Sequence, residues 1–124
     1  MKGKKSFLGF GRNRGAAEAA FHEATAAAGW SPRVETARLK KLLDSAPPVG
    51  LFVHDSLHTY ENERAELELG AAHLAPDGVL LSDNAHATRA LADVCASSGL
   101  RYFEFRERPA GHFYPGGATG AGRR

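Results

Sequence analysis

The stretch Val49–Asn84, VGLFVHDSLHTYENERAELELGAAHLAPDGVLLSDN, decides how this chain is read. An apolar run, Val49 to Val53, ends in His54-Asp55, and His58 and Tyr60 follow closely. A helical pattern then leads to Ala75-Pro76-Asp77-Gly78, where Gly78 supplies a tight turn. A second apolar run, Val79 to Leu81, ends in Ser82-Asp83-Asn84. Two runs apolar on both faces, joined by one helix, describe a βαβ unit with both runs as central strands. Its oxygen-bearing side chains gather at the carboxyl edge, where open α/β sheets bind ligands.

Outward from that unit, strand and helix patterns alternate. Phe7 to Gly11 is a short apolar segment, and Ala16 to Ala28 is an alanine-rich helix stopped by Gly29. Ser31-Pro32 marks a turn, after which Val34 to Leu43 reads as a short strand followed by a short helix. Glu61 to Leu74 reads as an amphipathic helix with Ala65, Leu69 and Ala72 inward and Glu61, Glu63, Arg64, Glu66 and Glu68 mostly outward. Thr88 to Ser98 is a further helix, and Arg101 to Arg108 alternates as a strand with one wet face. The glycine-rich tail offers a last edge strand at Ala118 to Gly122. Short connections in this order imply an α/β domain whose sheet is mostly parallel, about five or six strands with helices on both faces.

Composition narrows the function classes. The 124 residues suit one domain, 1–124, which is short for a complete doubly wound enzyme. A net charge of +2, from 16 basic and 14 acidic residues, gives no strong pull toward nucleic acid or anionic membrane. The single cysteine, Cys95, excludes an internal disulfide framework and fits the cytoplasm. No apolar run is long enough to span a membrane, and the basic start lacks the apolar core of a signal peptide.

Asp55, Asp83 and Asn84 offer three hard oxygen donors at one sheet edge, which suit Mg²⁺ or a similar cation. Helix capping by the two aspartates is the plainer alternative. His54 lies on the opposite face of its strand from Asp55 and reads as structural, Tyr60 as a packing residue, and His86 as an exposed loop histidine.

The pattern of strand, D-x-x-H-x-Y, helix, P-x-G, strand and D-N resembles the C-terminal half of class I S-adenosylmethionine-dependent methyltransferases. The branch it is most similar to is that of small-molecule O-methyltransferases with a bound divalent cation. The resemblance covers Val49 to Phe103. It implies a three-layer Rossmann-like fold, a shortened form of a seven-stranded sheet whose last strand is antiparallel. It implies S-adenosylmethionine and Mg²⁺ as cofactors, a hydroxylated small molecule as acceptor, Asp55, Asp83 and Asn84 as metal ligands, and His58 as general base. A neutral imidazole suits that last role, because the unperturbed pKa of a histidine side chain lies near working pH.

The cofactor loop admits two registers. In one, Gly9, Gly11 and Gly15 form the glycine loop and Glu35, about 20 residues further on, is the ribose acid. In the other, which is favoured, Phe7 to Gly11 is the second strand and the cofactor half is short or missing. Two functional classes follow: a metal-assisted O-methyltransferase, and a catalytically silent or accessory domain, folded alone or completed by a homodimer or a partner chain. A metal-dependent hydrolase using Asp55 and His58 is a third.

Overall fold

The computed structural model describes residues 19–20, 23–24, 27–29, 31–111, 113 and 116–124. The expected glycine loop at Gly9, Gly11 and Gly15 and the strand at Phe7 to Gly11 lie outside the described residues, as does much of the alanine-rich segment.

Helix α1 spans Pro32–Ser45. The strand expected at Val34 does not form. Ser31 is the N-cap (φ −154°, ψ 154°), its side-chain oxygen accepts from the Val34 N–H at 3.2 Å, and Pro32 takes the first turn. Serine before proline is therefore a helix start here, because Pro lacks the N–H that the first turn leaves unpaired in any case. Pro47-Pro48 separates α1 from strand β1, Val49–His54. Helix α2, Tyr60–Ala72, opens on Thr59, whose hydroxyl accepts from the Asn62 N–H at 3.4 Å.

The inward stripe of α2 differs from the expected one. Asn62, Glu63, Leu67, Gly70 and Ala71 are buried, Ala72 is exposed, and Ala65 and Leu69 line a groove against α1. Gly70 explains the choice of face. A Cβ there would stand 2.8 Å from the Phe52 ring, so only glycine lets α2 lie this close to β1.

Strand β2, Leu74–Ser82, runs parallel to β1 and pairs Phe52 with Leu80 and His54 with Ser82. The Ala75-Pro76-Asp77-Gly78 turn is taken up within β2, where the register shifts between Val49 and Leu51. Helix α3, Ala90–Ser98, ends at Gly99 in the left-handed region (φ 68°). Strands β3, Arg101–Arg106, and β4, Ala118–Arg123, complete a sheet of order β1-β2-β4-β3. β4 is antiparallel to both neighbours, so β1, β2 and β3 share one direction.

Three expectations change. The glycine-rich tail is an interior strand, not an edge. Cβ atoms at Gly120 and Gly122 would meet Leu91 Cδ2 and Cys95 Sγ at 2.5 Å, so their absence is what admits α3 onto the sheet. Of the two expected central strands, β2 is interior, while β1 is an edge of the described sheet. Helices also do not cover both faces among the described residues. α2 and α3 pack on the side carrying Phe52, Leu80, Gly120 and Gly122, around a core of Leu67, Leu80, Ala90, Val94 and Cys95. The opposite side leaves Leu51 and Val53 57% exposed and Phe105 66% exposed. No helix among the described residues is long and apolar enough to cross a membrane.

Candidate functional site

Parallel pairing brings the ends of β1 and β2 level, and the Asp83 N–H donates to the His54 carbonyl at 3.0 Å just beyond the last paired residues. Asp55 and Asp83 therefore leave the sheet side by side at its carboxyl edge. Ligand atoms of Asp55, His58 and Asp83 all lie within 4.8 Å of one another. His58 Nε2 is 3.7 Å from Asp55 Oδ1. Asn84, in the left-handed region at φ 51°, donates its amide to Asp83 Oδ2 at 2.9 Å and stands 3.3 Å from His58 Nε2. The structure thus joins Asp55, Asp83, Asn84 and His58 in one place. Asn84 turns its nitrogen, not its oxygen, toward the group, so the third convergent ligand atom belongs to His58. A half-turn of the amide would present Oδ1 instead.

No lysine or arginine among the described residues forms an ion pair with Asp55 or Asp83. Two carboxylates this near repel unless a cation or proton lies between them. Asp55 is largely exposed and His58 one-quarter exposed, so a hydrated cation can reach them. Two carboxylates and a nearby amide oxygen fit a divalent cation that keeps some of its water, with the imidazole beside it.

Beneath this edge lies a buried polar layer that the sequence did not reveal. His54 is 2% exposed, and its Nε2 meets Glu66 Oε2 at 3.0 Å. Ser56 Oγ donates to the same Glu66 oxygen at 2.6 Å. Burial acts to raise the Glu66 carboxyl, but the hydrogen bonds from His54 and Ser56 and the nearby imidazole outweigh it, and the pKa falls below its usual value. Asn62 donates to Ser56 Oγ at 3.2 Å and to the Leu57 carbonyl at 3.1 Å, which fixes the loop carrying Asp55 and His58.

Glu63 is 1% exposed, not outward as its helix pattern suggested. It accepts from Ser82 Oγ at 3.1 Å and from the Thr88 hydroxyl. The one available signal was spacing, since Glu63 stands four positions before Leu67 and seven before Gly70 on the buried stripe.

The remaining candidates fall nearby. Glu35 lines a cleft of about 560 Å³ with Leu39, Phe52, Asp55 and Glu66, and its carboxylate pairs with Arg38 at 2.9 Å. Tyr60 packs against the core, and its hydroxyl donates to Asp93 at 3.0 Å. Exposed His86 accepts from the Ala118 N–H at 3.1 Å, a role in β4 rather than in the site.

Comparison with known proteins adds the family. A family model described as a methyltransferase domain matches residues 3–85. A solved structure of a protein assigned as an O-methyltransferase, from Klebsiella pneumoniae, superimposes with a TM-score of 0.52 at 12% sequence identity. The match covers 67% of this chain and 44% of that one, so the chain spans less than half of its relative's length. No curated protein matches the sequence. The family model spans well over half of the chain, and the shared sheet agrees with it: the chain belongs to the class I S-adenosylmethionine-dependent methyltransferase family.

Proposed function

We propose that this chain carries the metal- and acceptor-binding part of an S-adenosylmethionine-dependent O-methyltransferase acting on a hydroxylated small molecule. The observation that carries the reading is the convergence of Asp55, His58 and Asp83 at the carboxyl ends of two parallel strands. Asp55 and Asp83 hold a divalent cation such as Mg²⁺, with Asn84 Oδ1 completing the protein's share after the amide turns. A cation bound there supplies Lewis acidity that lowers the pKa of an acceptor hydroxyl. Methyl transfer from a sulfonium is an in-line displacement, so the acceptor must be deprotonated and held still. His58 Nε2 faces the same space and takes the hydroxyl proton. Asn62, through Ser56 and the Leu57 carbonyl, keeps the His58 loop in place. On the cofactor side, Glu35, which lines the cleft beside Asp55, would accept from the ribose hydroxyls.

Calorimetry tests both halves of this reading. Mg²⁺ should bind the wild-type chain, and Asp83→Ala should abolish that binding while leaving the circular dichroism spectrum and melting unchanged. Retained Mg²⁺ binding in Asp83→Ala would place the cation elsewhere and overturn the reading, since the helices that follow the two aspartates begin on Thr59 and Arg89 instead. Heat with S-adenosylmethionine supports independent activity. If Mg²⁺ binds and S-adenosylmethionine gives no heat, the chain is the accessory form, and a second chain must supply the cofactor half. That second reading has its own support, because β1 is an open edge among the described residues.

A further inference from the structure

A second cluster of ligand atoms lies just inside the aspartate pair, formed by His54, His58 and Glu63. Glu63 Oε1 is 3.5 Å from His58 Nδ1 and 3.8 Å from His54 Nδ1. Both of these ring nitrogens are buried and lack a hydrogen-bond partner. His54 belongs to the deepest layer of the molecule, with 1% of its side chain exposed.

Two unpartnered buried nitrogens aimed at one buried carboxylate oxygen need a physical explanation. A protonated imidazole paired with Glu63 is the first to consider. A charge-assisted N–H···O bond would close to about 2.7–2.9 Å and align with the acceptor. Neither contact does so. The spacing is nearer to that of ligands sharing an ion, the His58–Glu63 distance of 3.5 Å lying within the expected range and the His54–Glu63 distance of 3.8 Å just beyond it. Atoms about 2.0–2.2 Å from a tetrahedral Zn²⁺ stand about 3.3–3.6 Å from each other.

The surroundings agree with that reading. A histidine that binds a metal through one nitrogen usually gives its other N–H to a carboxylate. His54 meets this condition, its Nε2 standing 3.0 Å from Glu66. Glu63 Oε2 is held by the Thr88 hydroxyl, while Oε1 also accepts from Ser82, so the carboxylate is fixed in place. No lysine or arginine among the described residues pairs with Glu63, and a buried carboxylate without a cation is costly. Two imidazoles and one carboxylate form a borderline-soft donor set, which prefers Zn²⁺ over Mg²⁺. His58 is one-quarter exposed, so the cluster lies one side chain from solvent although the ligand atoms themselves are buried.

We propose that His54 Nδ1, His58 Nδ1 and Glu63 Oε1 form a binding site for a transition-metal dication of the Zn²⁺ class, distinct from the oxygen-rich site at Asp55 and Asp83. The inference does not depend on methyl transfer. It has one consequence for it: an ion on Nδ1 leaves the ring's remaining proton on Nε2, with the Asn84 amide turned to present its oxygen, so His58 could no longer act as a base. Zn²⁺ would then silence the proposed reaction while leaving Mg²⁺ bound.

Co²⁺ serves as the spectroscopic stand-in for Zn²⁺. Titrating the purified chain should give the intense visible bands of four-coordinate cobalt, displaced by Zn²⁺ and not by Mg²⁺. The bands should disappear in His54→Gln and in His58→Ala and persist in Asp83→Ala. X-ray absorption of the zinc-loaded wild type should show two imidazoles in the shell, a measurement that stands even if His54→Gln does not fold. The proposal is overturned by weak six-coordinate cobalt bands, by a shell of oxygens alone, or by loss of the bands in Asp83→Ala, since each places the ion at the aspartates.

Discussion

Gly122 lies beneath the Cys95 thiol, and Gly120 beneath Leu91, at the place where α3 meets β4. Neither site has room for a methyl group, because each added Cβ would fall 2.5 Å from a fully or nearly fully buried neighbour. Gly122→Ala should therefore lower stability by about 1–3 kcal/mol, the usual result of overpacking a filled core. Urea denaturation would show this as a lower midpoint at unchanged slope; an unaltered midpoint would mean that α3 can lift away freely. At this scale the sequence was informative about the site and silent about its support. Asp55, Asp83 and His58 could be read because they follow apolar runs, and a residue after a buried strand has to emerge at the sheet edge. Glu63 could not. A glutamate within a charged helix reads as solvated, and only the hydroxyls of Ser82 and Thr88, from distant segments, make its burial tolerable.

Among the elements, the helix start at Ser31-Pro32 shows how local chemistry overrode a composition-based reading. Val34 favours a strand by propensity, yet the Ser31 hydroxyl, the Pro32 ring and the Glu35 charge in the first turn all favour a helix from Pro32. Ser31→Ala should remove one cap hydrogen bond and lower stability by about 1 kcal/mol, with Ser31→Asp close to neutral. Thermal unfolding of the pair would separate a cap from a mere turn, since a turn serine would tolerate alanine at no cost. The β1-α2-β2 unit was legible because its periodicity changes from apolar runs to a helical repeat and back. The position of β4 was not. Glycine is a poor strand former by propensity, and its use here depends on the helix that crosses it.

At the level of the whole molecule, the sheet has two unlike faces among the described residues. One side, bearing Phe52 and Leu80, is sealed by α2 and α3; the other displays Leu51, Val53, Phe103 and Phe105 to solvent. Strands apolar on both faces led the sequence to imply helices on both, and the family's three-layer fold has the same requirement. The described part supplies one of those layers. Stability should follow this asymmetry. Leu80 is fully buried at the centre of the core, so Leu80→Ala should lower stability by about 2–5 kcal/mol through lost burial and the cavity left behind. Leu51, two strand positions from Val53 on the open side and 57% exposed, has little burial to lose, and Leu51→Ala should lie within about 0.5 kcal/mol of wild type. Chemical denaturation of both variants under one condition measures the difference directly. Should Leu51→Ala prove as damaging as Leu80→Ala, the open side is covered in solution, and the chain keeps a second layer that makes it a three-layer domain by itself.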